Sequence, residues 1–451
     1  MTTIKFHKRM YQLYSLATVA IALLVSVSAQ ASIQGLTGTS FNLTASAGYI
    51  SVPDGGSIYS WGYSNGGTMQ LPGPTLKVIA GSTVTVTLTN NLPSAAGNVS
   101  IVFQGHEATA TGGVAGDLVQ EAAPGSSVTY TFEAKNPGTY TYHSGTQPDL
   151  QVEMGLYGAL IVYPAAAAAG CTQSAYNHPG TCYDREYLYL LSEVDLHIHR
   201  AAEAQAGGAG PIVLPGGAYH SEYWLMNGRA APDTMAMAGT ETLPTQPYDA
   251  MTRMHPGDKV LMRVVGAGRE MHPFHHHGNH ARVLARDGRL IAGATDPDTQ
   301  LAGPTLFTIP TVPGGTTDAI FEWTGKDLGW DMYGHTDDTI PCVDNNGDGY
   351  DDDELPAGPG NNQGEWCADH REPIPVTLPA LSSMGLGGFY SGSPFLGAMG
   401  SLPPGEGGLN PGAGFAFMWH SHTEREMVNN DVFPGGMMTM LIIEAPWVVI
   451  D

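Results

Sequence analysis

Apolar and polar residues alternate over several short stretches of the chain with a period of two. Residues 75–92 read TLKVIAGSTVTVTLTNNL, and further alternating runs lie at Ser127–Glu133, Gly138–His143 and 159–162. Successive side chains of a β-strand point to opposite faces, so this pattern predicts half-buried strands of antiparallel sheets. Helical periodicity is nearly absent. The pattern predicts an all-β protein that begins with a β-sandwich.

A second part of the chain repeats this plan. Residues 257–264 read GDKVLMRV and match GSTVTVTL at 81–88, and an alanine-rich segment at 164–170 separates the two units. We expect one β-sandwich over residues 32–165, a linker at 166–185 and a second sandwich over residues 186–451. A stretch rich in Gly, Pro, Asn and Asp, from about 331 to 412, predicts a long loop insertion in the second sandwich.

The N-terminal residues have the composition of an export signal. Lys5, Lys8 and Arg9 precede an apolar run at 16–27, and Ala29-Gln30-Ala31 is a small-x-small cleavage pattern. The apolar run is too short to span a bilayer, so residues 1–31 are interpreted as a signal peptide that is removed on export to the periplasm or the cell exterior. A retained N-terminal anchor is the alternative. No other stretch predicts a membrane span.

The charge balance excludes one class of partner. Removal of the signal peptide changes the formal net charge from −24 to −27. So acidic a chain repels nucleic acid and anionic lipid surfaces and favours cations. Acidity that serves solubility alone is the alternative.

Four cysteines fall into two local pairs, Cys171 with Cys182 and Cys342 with Cys367. In an exported protein this spacing favours two loop-closing disulfides over a metal site. If both disulfides form, no thiolate remains to bind a metal ion.

The segment between the second pair has the pattern of a calcium loop. Oxygen-bearing residues occupy alternate positions, with a glycine at the sixth, and they are Asp344, Asn346, Asp348 and Asp352. This order suits Ca²⁺, although Leu355 occupies the twelfth position, where a bidentate Glu is expected. We expect a structural calcium site, with a solvated acidic loop as the alternative.

Histidines occur in closely spaced groups. HPFHHHG at 272–278 contains His272, His275 and His277, WHSH at 419–422 contains His420 and His422, and GTYTYHS at 138–144 ends with His143 and a serine. Two histidines separated by one residue point to the same face of a strand, so two such pairs can converge on a metal ion.

These motifs resemble those of the multicopper oxidase family, of the two-domain laccase type. The matching segments, in order, are GPTLKV at 73–78, GTYTYHS at 138–144, GLYGALIVYP at 155–164, HPFHHHG and WHSH. The resemblance implies two cupredoxin-like Greek-key β-sandwich domains. It also implies a mononuclear, type 1 copper that receives electrons through a Cys thiolate, and a three-copper cluster held by eight histidines. A further implication is a homotrimer whose clusters form between domains of neighbouring chains.

The positions that match the mononuclear site have lost most of its ligands. They correspond to His272, Ser421, Glu426 and a residue near Asp431, and only His272 is a ligand of the family's type. Serine is a hard, weakly acidic ligand and cannot replace the soft thiolate of blue copper. The resemblance therefore implies a residual type 1 position without an electron relay.

Five of the eight cluster positions keep histidine. The eight positions correspond to Val102, Gln104, His143, Gly145, His275, His277, His420 and His422. We expect His143, His277, His420 and His422 to surround one metal ion or a weakly held pair. The copper position that matches Val102 and His275 loses half of its ligands. Imidazoles suit Cu(II) and Zn(II) alike, and the affinity order favours copper. Histidines satisfied by hydrogen bonds alone are the alternative.

Two functions follow as hypotheses. One is a secreted copper-dependent oxidoreductase with one or two copper ions per chain, at which oxygen and a small reductant bind directly. Ordinary laccase activity is not expected, because the relay is missing. The other is a non-catalytic cupredoxin scaffold for copper sequestration or cell-surface assembly.

Overall fold

The computed structural model describes residues 33–296, 300–333, 341–352, 362–372, 392–396, 414–444, 446 and 448–450. The predicted signal peptide and most of the predicted insertion lie outside these residues. Within the described part, no helix is both long and apolar enough to cross a membrane. Regular structure there is almost entirely β-strand, which confirms the predicted fold class.

The first sandwich is built from short strands between Leu36 and Tyr163. These are β1 (Leu36–Thr37), β2 (Ser40–Ser51), β3 (Ser57–Ser64), β4 (Leu76–Ile79), β5 (Thr83–Asn91), β6 (Val102–Phe103), β7 (Thr109–Gly112), β8 (Ser127–Glu133), β9 (Gly138–His143) and β10 (Tyr157–Tyr163). One sheet has the order β1-β4-β10-β9-β6 and the other β3-β2-β5-β8-β7. The alternation in β5 buries Val84, Val86 and Leu88 and leaves the intervening threonines partly exposed. The strand pattern of the sequence thus sets which face packs on the core.

The second sandwich repeats this arrangement. Its strands are β11 (Arg185–Val194), β12 (Tyr223–Met226), β13 (Thr252–Met254), β14 (Lys259–Gly266), β15 (His272–His276), β16 (Ala281–Arg286), β17 (Arg289–Leu290), β18 (Thr305–Leu306), β19 (Thr308–Thr311), β20 (Thr316–Glu322), β21 (Gly392–Leu396), β22 (Gly414–Ser421) and β23 (Met438–Ile443). One sheet has the order β12-β11-β14-β20-β16-β17, with β18 beside β16. The other has the order β13-β23-β22-β15-β19, with β21 beside β22.

Helices in the described residues are short. They are α1 (Pro148–Gln151) and α2 (Leu196–Gln205), with 3₁₀ turns at Ser94–Ala96, Pro179–Thr181, Asp233–Met235, Cys367–Asp369 and Glu424–Met427. Asp195 caps α2, because its carboxylate accepts the backbone N–H groups of His197 and Ile198. Such a cap satisfies amides that have no partner within the helix.

An apolar interface and a buried ion network join the two sandwiches. Ile161 of β10 belongs to the same buried cluster as Leu188 and Leu190 of β11. Arg263 of β14 is fully buried, lies 2.8 Å from Glu186 and donates to Oγ1 of Thr139 in the first sandwich at 3.0 Å. A buried guanidinium requires such partners, so this network ties the two sandwiches together.

Both predicted disulfides are present. Cys171–Cys182 closes a loop in the predicted linker, and Cys342–Cys367 closes part of the predicted insertion. No cysteine is free. The chain therefore offers no thiolate to a metal ion.

Candidate metal centre

The histidine motifs lie on two neighbouring strands, β15 and β22. Their antiparallel register sets His275 opposite His420 and Phe274 opposite Ser421. Because side chains alternate along a strand, His275 and His420 share one face, while Phe274 and Ser421 point to the other, buried face. The histidines of the H-x-H pairs thus lie on one face of the sheet, and Ser421, which stands between two of them in sequence, lies on the other face.

Three imidazoles converge on the first face. His275, His277 and His420 each offer one ring nitrogen, and these three nitrogens lie within 4.8 Å of one another. Nε2 of His420 is 3.3 Å from Nε2 of His277. Nitrogens that bind one ion at about 2.0–2.1 Å lie roughly 3 to 3.5 Å apart, so this arrangement suits a single metal ion.

His422 lies beside this group and is open to solvent. Its ring centroid is 4.9 Å from that of His275, and 52% of its side chain is exposed. Its Nδ1 is 3.4 Å from a carboxylate oxygen of Glu424. A small rotation could bring His422 to the same ion, but in this conformation it is not one of the three converging rings.

The converging rings are held in the form that binds metals. Nδ1–H of His420 donates to the carbonyl of Ser421 at 2.7 Å, which leaves the lone pair on Nε2. Burial and the neighbouring imidazoles lower the pKa of His275 to about 4. Burial, together with His277 and His422, also lowers the pKa of His420 to about 4. Neutral rings with one nitrogen anchored to the backbone are typical of metal ligands.

His143 lies elsewhere in the single chain. It ends β9, in the first sandwich, where its Nδ1–H donates to the carbonyl of Ser144 at 2.9 Å. Its Nε2 lies 3.0 Å from the side-chain nitrogen of Gln104, which donates to it. Within one chain the converging group therefore differs from the expected quartet, since His275 takes part and His143 does not. Sequence alone does not give the distance between side chains of different sandwiches.

His143 nevertheless has the same anchoring as His420. In both cases Nδ1–H donates to the carbonyl of the serine that follows, so Nε2 carries the lone pair. A cleft of about 460 Å³ lies beside His143 and is also lined by Gln104, Arg269 and Gly314.

The second, buried face carries the residues that match the mononuclear position. His272 is fully buried between two carboxylates, with Nδ1 at 2.9 Å from Glu426 and Nε2 at 2.9 Å from Glu193. Burial lowers the pKa of His272, but the hydrogen bonds to Glu193 and Glu426 outweigh it and raise the pKa to about 9. An imidazolium that donates from both nitrogens has no lone pair for a metal ion.

The other residues that match the mononuclear position also have hydrogen-bond or ion-pair partners. Ser421 is buried, and its Oγ accepts the N–H of Thr423 at 3.2 Å. Asp431 is exposed and pairs with Arg425 at 3.0 Å. In this arrangement a proton on His272 balances the buried carboxylates.

Glu193 is a residue that the sequence analysis did not identify. It lies in β11, is 2% exposed and also accepts the N–H of Glu270 at 3.1 Å. The available signal was a single acidic residue in the otherwise uncharged run LYLLSEV at 188–194. A buried carboxylate within a core strand requires a partner, which here is His272.

The predicted calcium residues form a tight, exposed loop. The carboxylate of Asp344 accepts the N–H groups of Gly347 at 2.6 Å and Gly349 at 2.9 Å. Asp352 accepts the N–H of Asn346 at 3.1 Å, and Oδ1 of Asn346 accepts the N–H of Asp348 at 2.8 Å. The loop thus curls around its oxygen-bearing side chains, and calcium binding stays a prediction.

Comparisons with known proteins show sequence similarity over part of the chain. A family model for multicopper oxidases matches residues 52–167. Copper resistance protein A of Escherichia coli is 33% identical over 170 residues, which cover 38% of this chain and 24% of that protein. L-ascorbate oxidase of Brassica rapa subsp. pekinensis is 37% identical over 129 residues, which cover 28% of this chain and 20% of that protein. The chain thus spans less than a third of the length of these two relatives.

The fold resemblance extends further than the sequence matches. A blue copper oxidase from Nitrosomonas europaea has a TM-score of 0.50 and 18% sequence identity, and the alignment covers 89% of this chain and 85% of that chain. The two sandwiches therefore have the cupredoxin-type fold, as expected. The predicted resemblance to the multicopper oxidase family is confirmed over residues 52–167, where the family model matches.

Proposed function

We propose that this protein is an exported copper-binding protein of the multicopper oxidase family in which His275, His277 and His420, with His422 beside them, hold the metal. The convergence of three imidazoles carries this proposal. Imidazole nitrogens bind copper and zinc, and copper binds more tightly than zinc to a given site. When bound, copper would supply a centre that exchanges single electrons.

The buried face explains why ordinary laccase chemistry is not proposed. The imidazolium of His272 between Glu193 and Glu426 takes the place of a metal ion, and Ser421 offers no thiolate. Without a type 1 copper to collect electrons, a reductant has to reach the imidazole-bound ion directly. We therefore propose a copper-dependent oxidoreductase with one or two copper ions per chain, acting on oxygen and a small reductant.

A neighbouring copy would supply His143 to the imidazole group. Leu118, next to Gly145 at the His143 end of the first sandwich, is 65% exposed. Phe307, which packs edge-on against His275, is 48% exposed. Apolar side chains beside both sites suit head-to-tail packing of one copy on the next, and such contacts close into rings. We propose a homotrimer of this kind.

A second candidate function is copper sequestration by a non-catalytic scaffold. The observation that favours it is again the pair of carboxylates around His272, because loss of the relay removes the route by which the family's enzymes collect electrons. Under this alternative the imidazole group stores copper without turnover. The predicted calcium loop and the two disulfides would stabilise the exported protein under either function.

Metal content per chain tests the proposal. Protein exported from copper-supplemented cells should contain about one copper per chain by mass spectrometry. A variant with His277→Gln and His420→Gln should lose about one copper per chain, whereas the exposed His197→Gln control should keep the full amount. Absence of copper from the unchanged protein, or full copper in the double variant, would contradict the proposed site.

Oxygen consumption separates the two functions. With copper bound and ascorbate as the reductant, an oxidoreductase should consume oxygen at a rate that the double variant loses. A fully loaded protein that consumes none would favour the scaffold.

A further inference from the structure

A second group of metal-binding side chains lies in the predicted insertion and is separate from the imidazole cluster. Asp331, Glu365 and His370 each offer one ligand atom, and these atoms lie within 4.8 Å of one another. Asp331 and Glu365 are almost completely buried, and only 11% of the His370 side chain is exposed. Asp331 is distant in sequence from Glu365 and His370, and the three residues form no recognised motif.

The spacing of the three ligand atoms suits one small cation. Nδ1 of His370 is 2.9 Å from a carboxylate oxygen of Glu365 and 3.8 Å from one of Asp331. Ligands that bind Zn²⁺ tetrahedrally at about 2.0–2.2 Å lie roughly 3.3 to 3.6 Å apart. The observed distances lie on either side of this range, so shifts of about half an ångström would complete the geometry.

The backbone holds these ligands in place. Trp330 and Met332, on either side of Asp331, pack in the core of the second sandwich. The carboxylate of Asp331 accepts the N–H groups of Tyr333 at 2.8 Å and Arg371 at 3.1 Å. Between Glu365 and His370, Cys367 is fixed by its disulfide to Cys342. Ligands fixed in this way lose little entropy when an ion binds.

Asn362 gives an independent indication of a missing ligand. Its side chain is completely buried, and neither Oδ1 nor Nδ2 has a hydrogen-bond partner among the described residues. It lies on the same turn as Glu365, whose N–H donates to the carbonyl of Asn362 at 2.9 Å. A buried amide without partners is costly, so its groups require a water molecule or another ligand that the described part of the chain does not supply.

We propose that Asp331, Glu365 and His370 bind Zn²⁺, with a water molecule as the fourth ligand and the amide of Asn362 as a partner of that water. Two carboxylates and one imidazole are too hard a set for Cu(I), and three ligands are too few for the six to eight oxygens of Ca²⁺. The ion fastens the insertion to the second sandwich, since Asp331 is anchored in the core and the other two ligands lie in the insertion. Its role is structural and does not depend on the proposed copper function.

Calorimetric titration of metal-stripped, full-length protein with Zn²⁺ tests this site. The His277→Gln, His420→Gln double variant is the starting protein, because the imidazole cluster also binds zinc. It should bind one Zn²⁺ per chain. Adding His370→Gln or Asp331→Asn should weaken that binding roughly tenfold or more, since each removes a direct ligand.

The control is His255→Gln, which changes a histidine 3.8 Å from Asp258 that lies outside any three-ligand group in the described residues. It should leave the affinity for Zn²⁺ unchanged. Glu365→Gln, which keeps the shape of the side chain, provides a third ligand variant, and near-ultraviolet circular dichroism checks that each variant is folded. Co²⁺ bound to the starting protein should give the strong visible absorption of a tetrahedral site.

Failure of the double variant to bind Zn²⁺, or equal affinity in folded ligand variants and the control, would overturn the proposal. Neither result would affect the copper proposal, which depends on His275, His277 and His420.

Discussion

His272→Gln removes the buried positive charge between Glu193 and Glu426, and its effect on stability should depend on pH. The pKa of His272 is raised to about 9 in the folded protein, whereas an unfolded histidine titrates near 6.5. At 1.36 kcal/mol per pKa unit, this difference corresponds to roughly 3 kcal/mol. The proton on His272 therefore contributes a substantial share of the stability of a typical domain.

The direction of the effect follows from proton linkage. Below about pH 6.5 the ring is protonated in both states, so its contribution is fully present. Between about pH 6.5 and 9 the unfolded chain has lost this proton while the folded protein keeps it, so stability falls as pH rises. Above about pH 9 the contribution is gone. The stability difference between the unchanged protein and His272→Gln should therefore shrink by roughly 3 kcal/mol across this range.

Urea unfolding of metal-stripped protein from pH 6 to 9.5 measures this difference. The control is His199→Gln, because burial lowers the pKa of His199, so this ring causes no loss of stability as pH rises. The control should retain the pH slope of the unchanged protein, and His272→Gln should lose it. Equal slopes in the unchanged protein and His272→Gln would refute a charged ring at this position.

Three further outcomes are expected. Ser421→Cys should not produce the intense blue absorption of a copper–thiolate site, because Glu426 and the imidazolium of His272 still occupy the position; blue colour in that variant would show that they yield to copper. Arg263→Met should lower the free energy of unfolding in urea by roughly 3 to 5 kcal/mol, because it leaves buried carboxylates without their cation. The control variant Arg282→Met, at an exposed position, should change it by about 0.5 kcal/mol or less, and similar values for the two variants would contradict the buried network. Asp344→Asn should weaken calcium binding measured by calorimetry, because it removes a charged ligand from the loop, and an unchanged affinity would exclude Asp344 from a calcium site.

The sequence predicted the features that depend on local periodicity. Alternation with a period of two identifies strands such as β5, and the H-x-H spacing places His275 and His277, or His420 and His422, on one face of a strand. The disulfides follow from short spacings between cysteines. Each of these inferences uses residues that are close in the chain.

Features that depend on distant contacts were not predictable in this way. The approach of Glu193 to His272, and of Asp331 to His370, requires the folded arrangement of separate segments. The position of His143 depends on how two sandwiches, or two copies of the chain, are placed relative to each other. The H-x-H spacing alone does not show that a pair of histidines lies on a strand, since His197 and His199 have this spacing but lie in α2.

Anomalous diffraction at the copper absorption edge, from crystals of copper-loaded protein, tests the central claim most directly. The expected result is a copper peak among His275, His277 and His420, with no peak between His272 and Ser421. A copper peak bound to His272 on the buried face, with the imidazole group empty, would contradict it.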